Sequence, residues 1–375
     1  MKIAFIITAI AVYFAANYYV FTKGLSLIPS NQVTLRVTYG ILFALLAMSF
    51  IISMSRGNER FPLLVTILQP VGSTWLYSLL YIVPTLLIID IIRLFNKWFH
   101  FFPSFITSNP QLTGLIVCSI IVLSLIVMFI HGNYKFNHPT VVNLKMKTDK
   151  QIASPPRIII ASDLHIGYII GRKKTMEYVN IINEQRPDIV LLCGDIFDRS
   201  MDIVERNNIS EILKKINAPL GVYAVLGNHK YYGDLPRVIE MLKQSNITLL
   251  RDSVAMPTDD IYLVGRDDRS NAKRQSLISL TSKLDHNKLI INIDHQPSLL
   301  EEAQKAKADF QFSGHTHDGQ LFPANLITRR IYEKSHGYLR KGSTQYFITS
   351  GLGIWGATYR IGTRSEIISL SIESH

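Results

Sequence analysis

Carboxylate, imidazole and amide side chains that can hold a cation fall in five short groups between residues 163 and 317 of this 375-residue chain. They are Asp163-Leu164-His165, Gly194-Asp195-Ile196-Phe197-Asp198, Gly227-Asn228-His229, Asp294-His295 and Gly314-His315-Thr316-His317. Mixed imidazole and carboxylate donors suit Mn²⁺, Fe or Zn²⁺ better than Ca²⁺, which prefers oxygen alone. A lone Asp-x-His or Gly-Asn-His marks nothing in itself, since such pairs are common in ordinary structure. Five of them in order, each directly behind an apolar run, make a constellation.

Those runs, 158–161, 189–193, 222–226, 289–293 and 310–312, have strand length and composition and alternate with helical patterns. This argues for an α/β core. In an open α/β sheet, sites form in the crevice at the carboxyl ends of strands, so five such ends would gather the groups in one place. Asp163 and His165 are two residues apart, and extended backbone would point both the same way; the same holds for His315 and His317. Glycines before Asp195, Asn228 and His315 allow sharp turns that present those side chains.

In this order and spacing, the groups resemble the full motif series of the calcineurin-like metallophosphoesterases, over about residues 157–372. The runs Asp294-His295-Gln296-Pro297, 313–320 and Thr349-Ser350-Gly351-Leu352-Gly353 are most similar to the membrane-anchored bacterial branch. A related branch cleaves the pyrophosphate of UDP-2,3-diacylglucosamine. The resemblance implies a two-sheet α/β/β/α sandwich and two divalent metal ions, Mn²⁺ favoured. It implies that Asp163, His165 and His317 hold one ion and that Asn228, His295 and His315 hold the other. Asp195 would bridge both, His229 would act on the substrate phosphate without binding metal, and Asp198 would orient its loop from behind. Two cations about 3.5–4 Å apart can clamp a phosphate, acidify a shared water and stabilise attacking and leaving oxygens.

The sequence departs from the family pattern at Lys230, where an acid usually follows Gly-Asn-His, and at Asp318, where glycine is usual. A carboxylate would orient His229 and raise its basicity; Asp234 and Asp294 are the candidates to supply it. The remaining histidines (His100, His131, His138, His286, His336 and His375) match no motif position and are expected at interfaces or on the surface. Arg266-Asp267-Asp268-Arg269 is expected as a loop near the site. Arg329, Arg330, Lys334, Arg340 and Lys341 form either a solvated face or a dock for anionic headgroups.

Ahead of this domain the composition changes. Residues 1–132 carry seven basic and two acidic side chains, leaving 32 and 26 for the remainder. Four apolar stretches, 3–21, 37–54, 71–92 and 113–130, are long enough to cross a bilayer as helix, which takes about 20 residues. The expected organisation is a four-helix transmembrane domain over 1–132, a polar linker over 133–156 and the phosphoesterase domain over 157–375. The first span lacks a clear small-residue cleavage site, so retention is expected. Lys2, Arg56, Arg60, Lys135, Lys145 and Lys147 fall on the side of the C-terminal domain, against Lys23, Arg36, Arg93 and Lys97. The positive-inside rule then favours a cytoplasmic domain on a bacterial inner membrane. Asp90 is expected to pair with Arg93, one turn away. Cys118 and Cys193 are expected to be small buried hydrophobes.

The net charge of +11 divides as +5 and +6 with no long basic block. A membrane surface, not nucleic acid, is therefore the expected partner. Leu321, Phe322, Leu326, Ile327, Ile354, Trp355 and Tyr359 lie in loops after late strands, where they either admit a lipid tail or pack in the core. The resulting expectation is a membrane-anchored two-metal hydrolase of a phosphodiester or pyrophosphate in a lipid-linked substrate. The alternative is a membrane sensor or scaffold whose phosphoesterase domain binds ligand without turnover. A transporter ranks last, since Asp90 is the one acid in the spans.

Overall fold

The computed structural model describes residues 2–54, 62–198, 201–229 and 234–374. The chain divides into two compact units, Met1–Ile130 and His131–His375.

The first unit is helical: α1 (Lys2–Leu25), α2 (Val33–Met54), α3 (Pro62–Phe99), the single turn α4 (Ser104–Thr107) and α5 (Pro110–Asn137), whose end enters the second unit. Three helices among the described residues, not the expected four, are long and apolar enough to cross a membrane: Val33–Ser53, Leu63–Phe99 and Pro110–Asn137. α1 is helical throughout, but several of its first side chains lie outside the description. Leu45, Ile88, Leu123 and Ile130 are exposed. Helices apolar on every side, with so much apolar surface outward, have the character of membrane-crossing segments. Asp90 pairs with Lys23 of α1 at 2.6 Å and accepts from the Tyr19 hydroxyl at 2.7 Å, in place of the expected Arg93 partner. Helical spacing brought Arg93 near in sequence, but α1 presents its cation directly to the carboxylate. Cys118 is exposed on α5, contrary to expectation, whereas Cys193 is buried as expected.

The second unit runs β1 (Thr140–Thr148), β2 (Ile158–Ala161), α6 (Arg172–Glu184), β3 (Ile189–Cys193), α7 (Met201–Arg206), α8 (Ile209–Leu213), β4 (Val222–Val225), α9 (Leu235–Gln244), β5 (Thr248–Leu249), β6 (Ser253–Thr258) and β7 (Ile261–Gly265). It continues with α10 (Leu277–Thr281), β8 (Leu289–Ile293), α11 (Glu301–Lys305), β9 (Phe310–Ser313), α12 (Ala324–Ile331), β10 (Gly337–Lys341), β11 (Thr344–Ile348) and β12 (Glu366–Ser374). One sheet has the order β1-β12-β2-β3-β4-β5 and the other β10-β11-β9-β8-β7-β6. Both are mixed: β2, β3, β4 and β5 are parallel with β12 antiparallel beside β2, and β7, β8, β9 and β11 are parallel between antiparallel β6 and β10. Residues 140–148, inside the stretch expected as a polar linker, form a nine-residue strand because β12 offers them a parallel edge from Thr140↔Glu366 to Thr148↔Ser374. No local apolar run announced that pairing.

The strands read as unbroken apolar runs because both faces are covered. Ile158 and Ile160 point inward against Ile291 and Phe312 of the other sheet, while Ile159 and Ala161 point outward to Tyr178, Val179 and Ile182 of α6. Ile290, Tyr346 and Ile348 pack outward with Leu300 and Ala303. The result is the α/β/β/α sandwich that the motif pattern implied. Each fully buried isoleucine contributes about 1.5–3 kcal/mol relative to exposure, and these layers fix the strand ends that carry the site.

Candidate metal centre

The carboxyl ends of β2, β3, β4, β8 and β9 meet, and three groups of ligand-capable side chains form there. They are Asp163, His165 and His317; His165, Asp195 and His229; and Asp195, His295 and His315, with one donor atom from each residue lying within 4.8 Å of the others in its group. His165 Nε2 and His317 Nε2 face each other at 3.2 Å, and His317 Nε2 is 3.4 Å from Asp163 Oδ1. His295 Nδ1 lies 2.7 Å from the Cys193 carbonyl, which accepts its proton and leaves Nε2 directed at Asp195 Oδ2, 3.1 Å away. Asn228 Oδ1 is buried and has no hydrogen-bond partner among the described residues. Imidazole nitrogens converging on a carboxylate beside an orphaned buried oxygen are what a cation can satisfy, because unpaired buried polar atoms are costly. The donor set fits a divalent metal.

The backbone achieves this in a way the extended-strand argument did not foresee. Asp163, His165, Asp195, His315 and His317 all sit in the left-handed region, with φ between 45° and 70°. Such residues cost of order 1–3 kcal/mol each and persist where the surroundings over-determine them. Here Asp163 N donates to Gly194 O, His165 N to Asp195 O, and Gly353 N to Asp163 O, all at 2.9–3.0 Å. His315 N donates to Asp163 Oδ2 at 3.0 Å and His229 N to Asp195 Oδ1 at 3.1 Å. The ligand side chains thus anchor one another's loops. Of the three motif glycines, only Gly194 uses a positive φ (85°); Gly227 and Gly314 serve close approach, since a Cβ would lie 2.1 Å from Asp195 Oδ1 and 2.0 Å from Ser162 Oγ respectively.

Burial sets the charge states. It pushes His165 and His317 below the ordinary imidazole range and His315 down to about 4, leaving neutral rings, the form that ligates metal. His295 goes the other way: burial opposes its charge, but the Asp195 carboxylate lifts it to about 10. Asp195 is correspondingly held far below the usual carboxylate range, burial being outweighed by His295, His165 and His229.

Asp198 Oδ1 lies 3.4 Å from His229 Nδ1, so Asp198 is the carboxylate placed beside this nitrogen of the histidine. The two acids considered for the task do other work. Asp234 caps α9 and pairs with Arg237, and Asp294 is buried against Arg266 and Arg274 at 3.4 and 3.1 Å. Lys230 lies outside the described residues. His229 Nε2 stands 3.9 Å from Asp195 Oδ2, and its side chain is 21% exposed where that of His295 is fully covered. The site therefore presents His229 to a ligand and hides His295. Residues 266–269 form a loop beside the site, in which Asp268 accepts from Gln296, the neighbour of His295, and Asp267 pairs with Arg251.

Two residues escaped the sequence reading. Arg360 is fully buried and donates to the carbonyls of His317, Gly351 and Gly353, tying the glycine run to the last ligand loop. Tyr332 sets its ring edge-on to His315, with centroids 6.1 Å apart. Neither belongs to a motif, so nothing in the sequence marked them. Among the other histidines, His100, His131 and His138 are exposed, His286 is half-buried, and His375 lies outside the described residues. His336 is partly exposed, in keeping with a surface position, yet it also meets the buried carboxylate of Glu366 at 2.9 Å.

That pair supports the Thr349–Ser350 loop, because Glu366 also accepts from Thr349 Oγ1 and Ser350 N. Burial works against both charges, yet Glu366 raises His336 and His336 with Ser350 and Thr349 lowers Glu366. A raised histidine contributes stability that is complete below its unfolded pKa of about 6.5 and fades as pH climbs through the folded value. His336→Ala is therefore expected to cost about 1 kcal/mol at mildly acid pH and much less in alkali. Melting temperatures of both proteins across that range check it; a pH-independent loss would rule out the ion pair as the cause.

Residues 156–319 match the family model for calcineurin-like phosphoesterases. An uncharacterized metallophosphoesterase of Aquifex aeolicus is 30% identical over 225 residues, a match spanning 58% of this chain and 85% of that protein. The chain belongs to the calcineurin-like phosphoesterase family. An uncharacterized metallophosphoesterase of Helicobacter pylori is also 30% identical, over 60% of this chain and 61% of its own length. A Danio rerio transmembrane protein with metallophosphoesterase domain is 30% identical, over 63% and 57% respectively. The chain thus spans well under two thirds of those two relatives. Members of this family are generally metal-dependent phosphoester hydrolases, and this chain pairs such a domain with helices apolar enough for a membrane.

Proposed function

We propose that the protein is a membrane-anchored, two-metal hydrolase of a phosphodiester or pyrophosphate bond in a lipid-linked substrate. The observation that carries the reading is the place of Asp195, which belongs to one ligand group with His165 and His229 and to another with His295 and His315. Asp163, His165 and His317 would hold one ion, Asn228, His295 and His315 the second, with Asp195 shared. Bound there, two divalent cations, Mn²⁺ in this reading, supply charge neutralisation on the phosphoryl oxygens and acidify water.

The protein's own groups do the rest. His229 is the accessible imidazole, fixed by Asp198 at Nδ1, and directs Nε2 inward where it steadies charge on the phosphate or donates a proton to the leaving oxygen. His295, tied to the Cys193 carbonyl, keeps one nitrogen aimed at Asp195. The apolar helices hold the domain at a bilayer. With α1 counted as a span, the excess of basic residues puts the domain on the cytoplasmic face of a bacterial inner membrane.

The test is hydrolysis by the detergent-solubilised full chain across phosphomonoesters, nucleotide diesters, phospholipids and UDP-linked acyl sugars. Chelation is expected to abolish turnover and Mn²⁺ to restore it. Because the proton on His295 must leave before metal binds, apparent metal affinity is expected to strengthen as pH rises toward about 10. Turnover unaffected by exhaustive chelation would remove the metal reading, and equal rates on soluble and lipid diesters would remove the lipid preference.

A further inference from the structure

α12 is built inside out. A surface helix normally turns its apolar stripe to the core and its polar side to water. In α12 the buried residue is Asn325, at 7% exposure, while Leu326, Ile327 and Ile331 stand 55%, 61% and 68% exposed. Phe322, just ahead of the helix, is half exposed as well, whereas Leu321 beside it is buried. Trp355, 43% exposed, belongs to the same surface: its backbone N–H donates to Gln320 Oε1 and its carbonyl accepts from Gln320 Nε2, at 3.0 and 2.8 Å. The loop residues noted in the sequence thus divide, with Leu321 and Ile354 in the core, Tyr359 half-buried, and Phe322, Leu326, Ile327 and Trp355 outside.

This face borders the metal centre. α12 packs on the turn His317–Gly319, its Arg329 pairs with Asp318 at 3.3 Å, and Tyr332 at its end stacks edge-on to His315. Arg330 is exposed in its last turn. An exposed apolar helix flanked by arginine complements an anionic lipid interface, where aliphatic side chains enter the acyl boundary and cations meet headgroups. The same chain supplies helices fit to cross a bilayer, so that surface is permanently at hand.

We infer that α12 with Phe322 and Trp355 is an interfacial element that seats the rim of the metal centre in the surface of an anionic bilayer, where a lipid-borne phosphate can enter. Its bearing on substrate entry rests on the hydrolase reading above; the seating itself does not. Each isoleucine that enters the acyl boundary gains the free energy of apolar burial, and the arginines bias the face toward negatively charged leaflets.

The experiment uses the full chain in a Cys118→Ser background, reconstituted into phosphatidylcholine vesicles containing a minority of phosphatidylglycerol. Bimane is attached at Ile327→Cys or Ile331→Cys, with Glu211→Cys, at an exposed position of the otherwise buried α8, as reference. Quenching by doxyl-labelled lipid at 327 and 331, with protection from aqueous iodide and the reverse pattern at 211, is the expected result. Iodide quenching at 327 equal to that at 211 overturns the proposal, and so does shielding from both quenchers, which would mean a protein cover. A second measurement uses Ile327→Gln with Ile331→Gln. Hydrolysis of a vesicle-borne phosphodiester should fall roughly tenfold or more while that of soluble bis(p-nitrophenyl) phosphate stays unchanged; a parallel fall on both substrates also overturns it. Should no substrate be hydrolysed at all, the quenching arm still decides where α12 sits, which separates failure of this inference from failure of the hydrolase reading.

Discussion

Asp195→Asn is expected to lower kcat/KM by at least about 10³-fold while the domain stays folded. Loss of outer partners of a metal site alone costs 10–100-fold in affinity or activity, and Asp195 faces both ligand groups directly. Asparagine keeps the volume and one oxygen, so the His229 N–H, now 3.1 Å from Asp195 Oδ1, still has an acceptor. What vanishes is the buried negative charge. That charge would offset two cations bound at the centre, and it lifts His295 to about 10. Without it a second cation beside the first meets repulsion with nothing to offset it. The measurement is hydrolysis of bis(p-nitrophenyl) phosphate beside calorimetric titration with Mn²⁺, with thermal melting to confirm folding. Wild-type turnover in this variant would mean that the assignment of the centre is wrong.

Gly227→Ala should come next in size, with roughly a 10²-fold loss of activity and about 1–3 kcal/mol of stability. The backbone there is ordinary, so alanine meets no conformational penalty; the damage is one of space. Its methyl would stand 2.1 Å from Asp195 Oδ1 and 2.5 Å from Asp195 N, and only the first of these can swing aside. The peptide at the end of β3 has to move, and with it the carboxylate that both ligand groups share. A displacement near 1 Å is enough to cost about 10² in rate when catalysis depends on positioning. Gly40, with nothing within 4 Å of an added Cβ, is the control and should accept alanine without loss. Equal activity in the two variants would show that β4 does not crowd Asp195.

Much of this was open to reading from neighbouring residues. Apolar runs of strand length ending in Asp, His or Asn are local patterns, and a strand apolar on both sides of its pleat needs cover on both faces. The near absence of charge before residue 132 is likewise a local property, and it gives helices apolar enough to cross a membrane. Residue type set the chemistry too, since imidazoles with carboxylates at strand ends favour a transition metal wherever they converge.

Only the tertiary structure decided which groups face each other. Asp195 and His295 are 100 residues apart, and they meet because β3 and β8 lie in opposing sheets whose packing sets their distance. The same layering put Asp198 rather than Asp234 or Asp294 on His229, brought Arg360 under the glycine run, paired β1 with β12 and matched Asp90 to Lys23. It also bent the ligand loops into left-handed backbone, a conformation that no sequence pattern here requires and that the surrounding hydrogen bonds impose. Spacing along a chain fixes directions over a few residues. Distances across a fold come from how whole layers seat, and the cation-binding geometry is made of those distances.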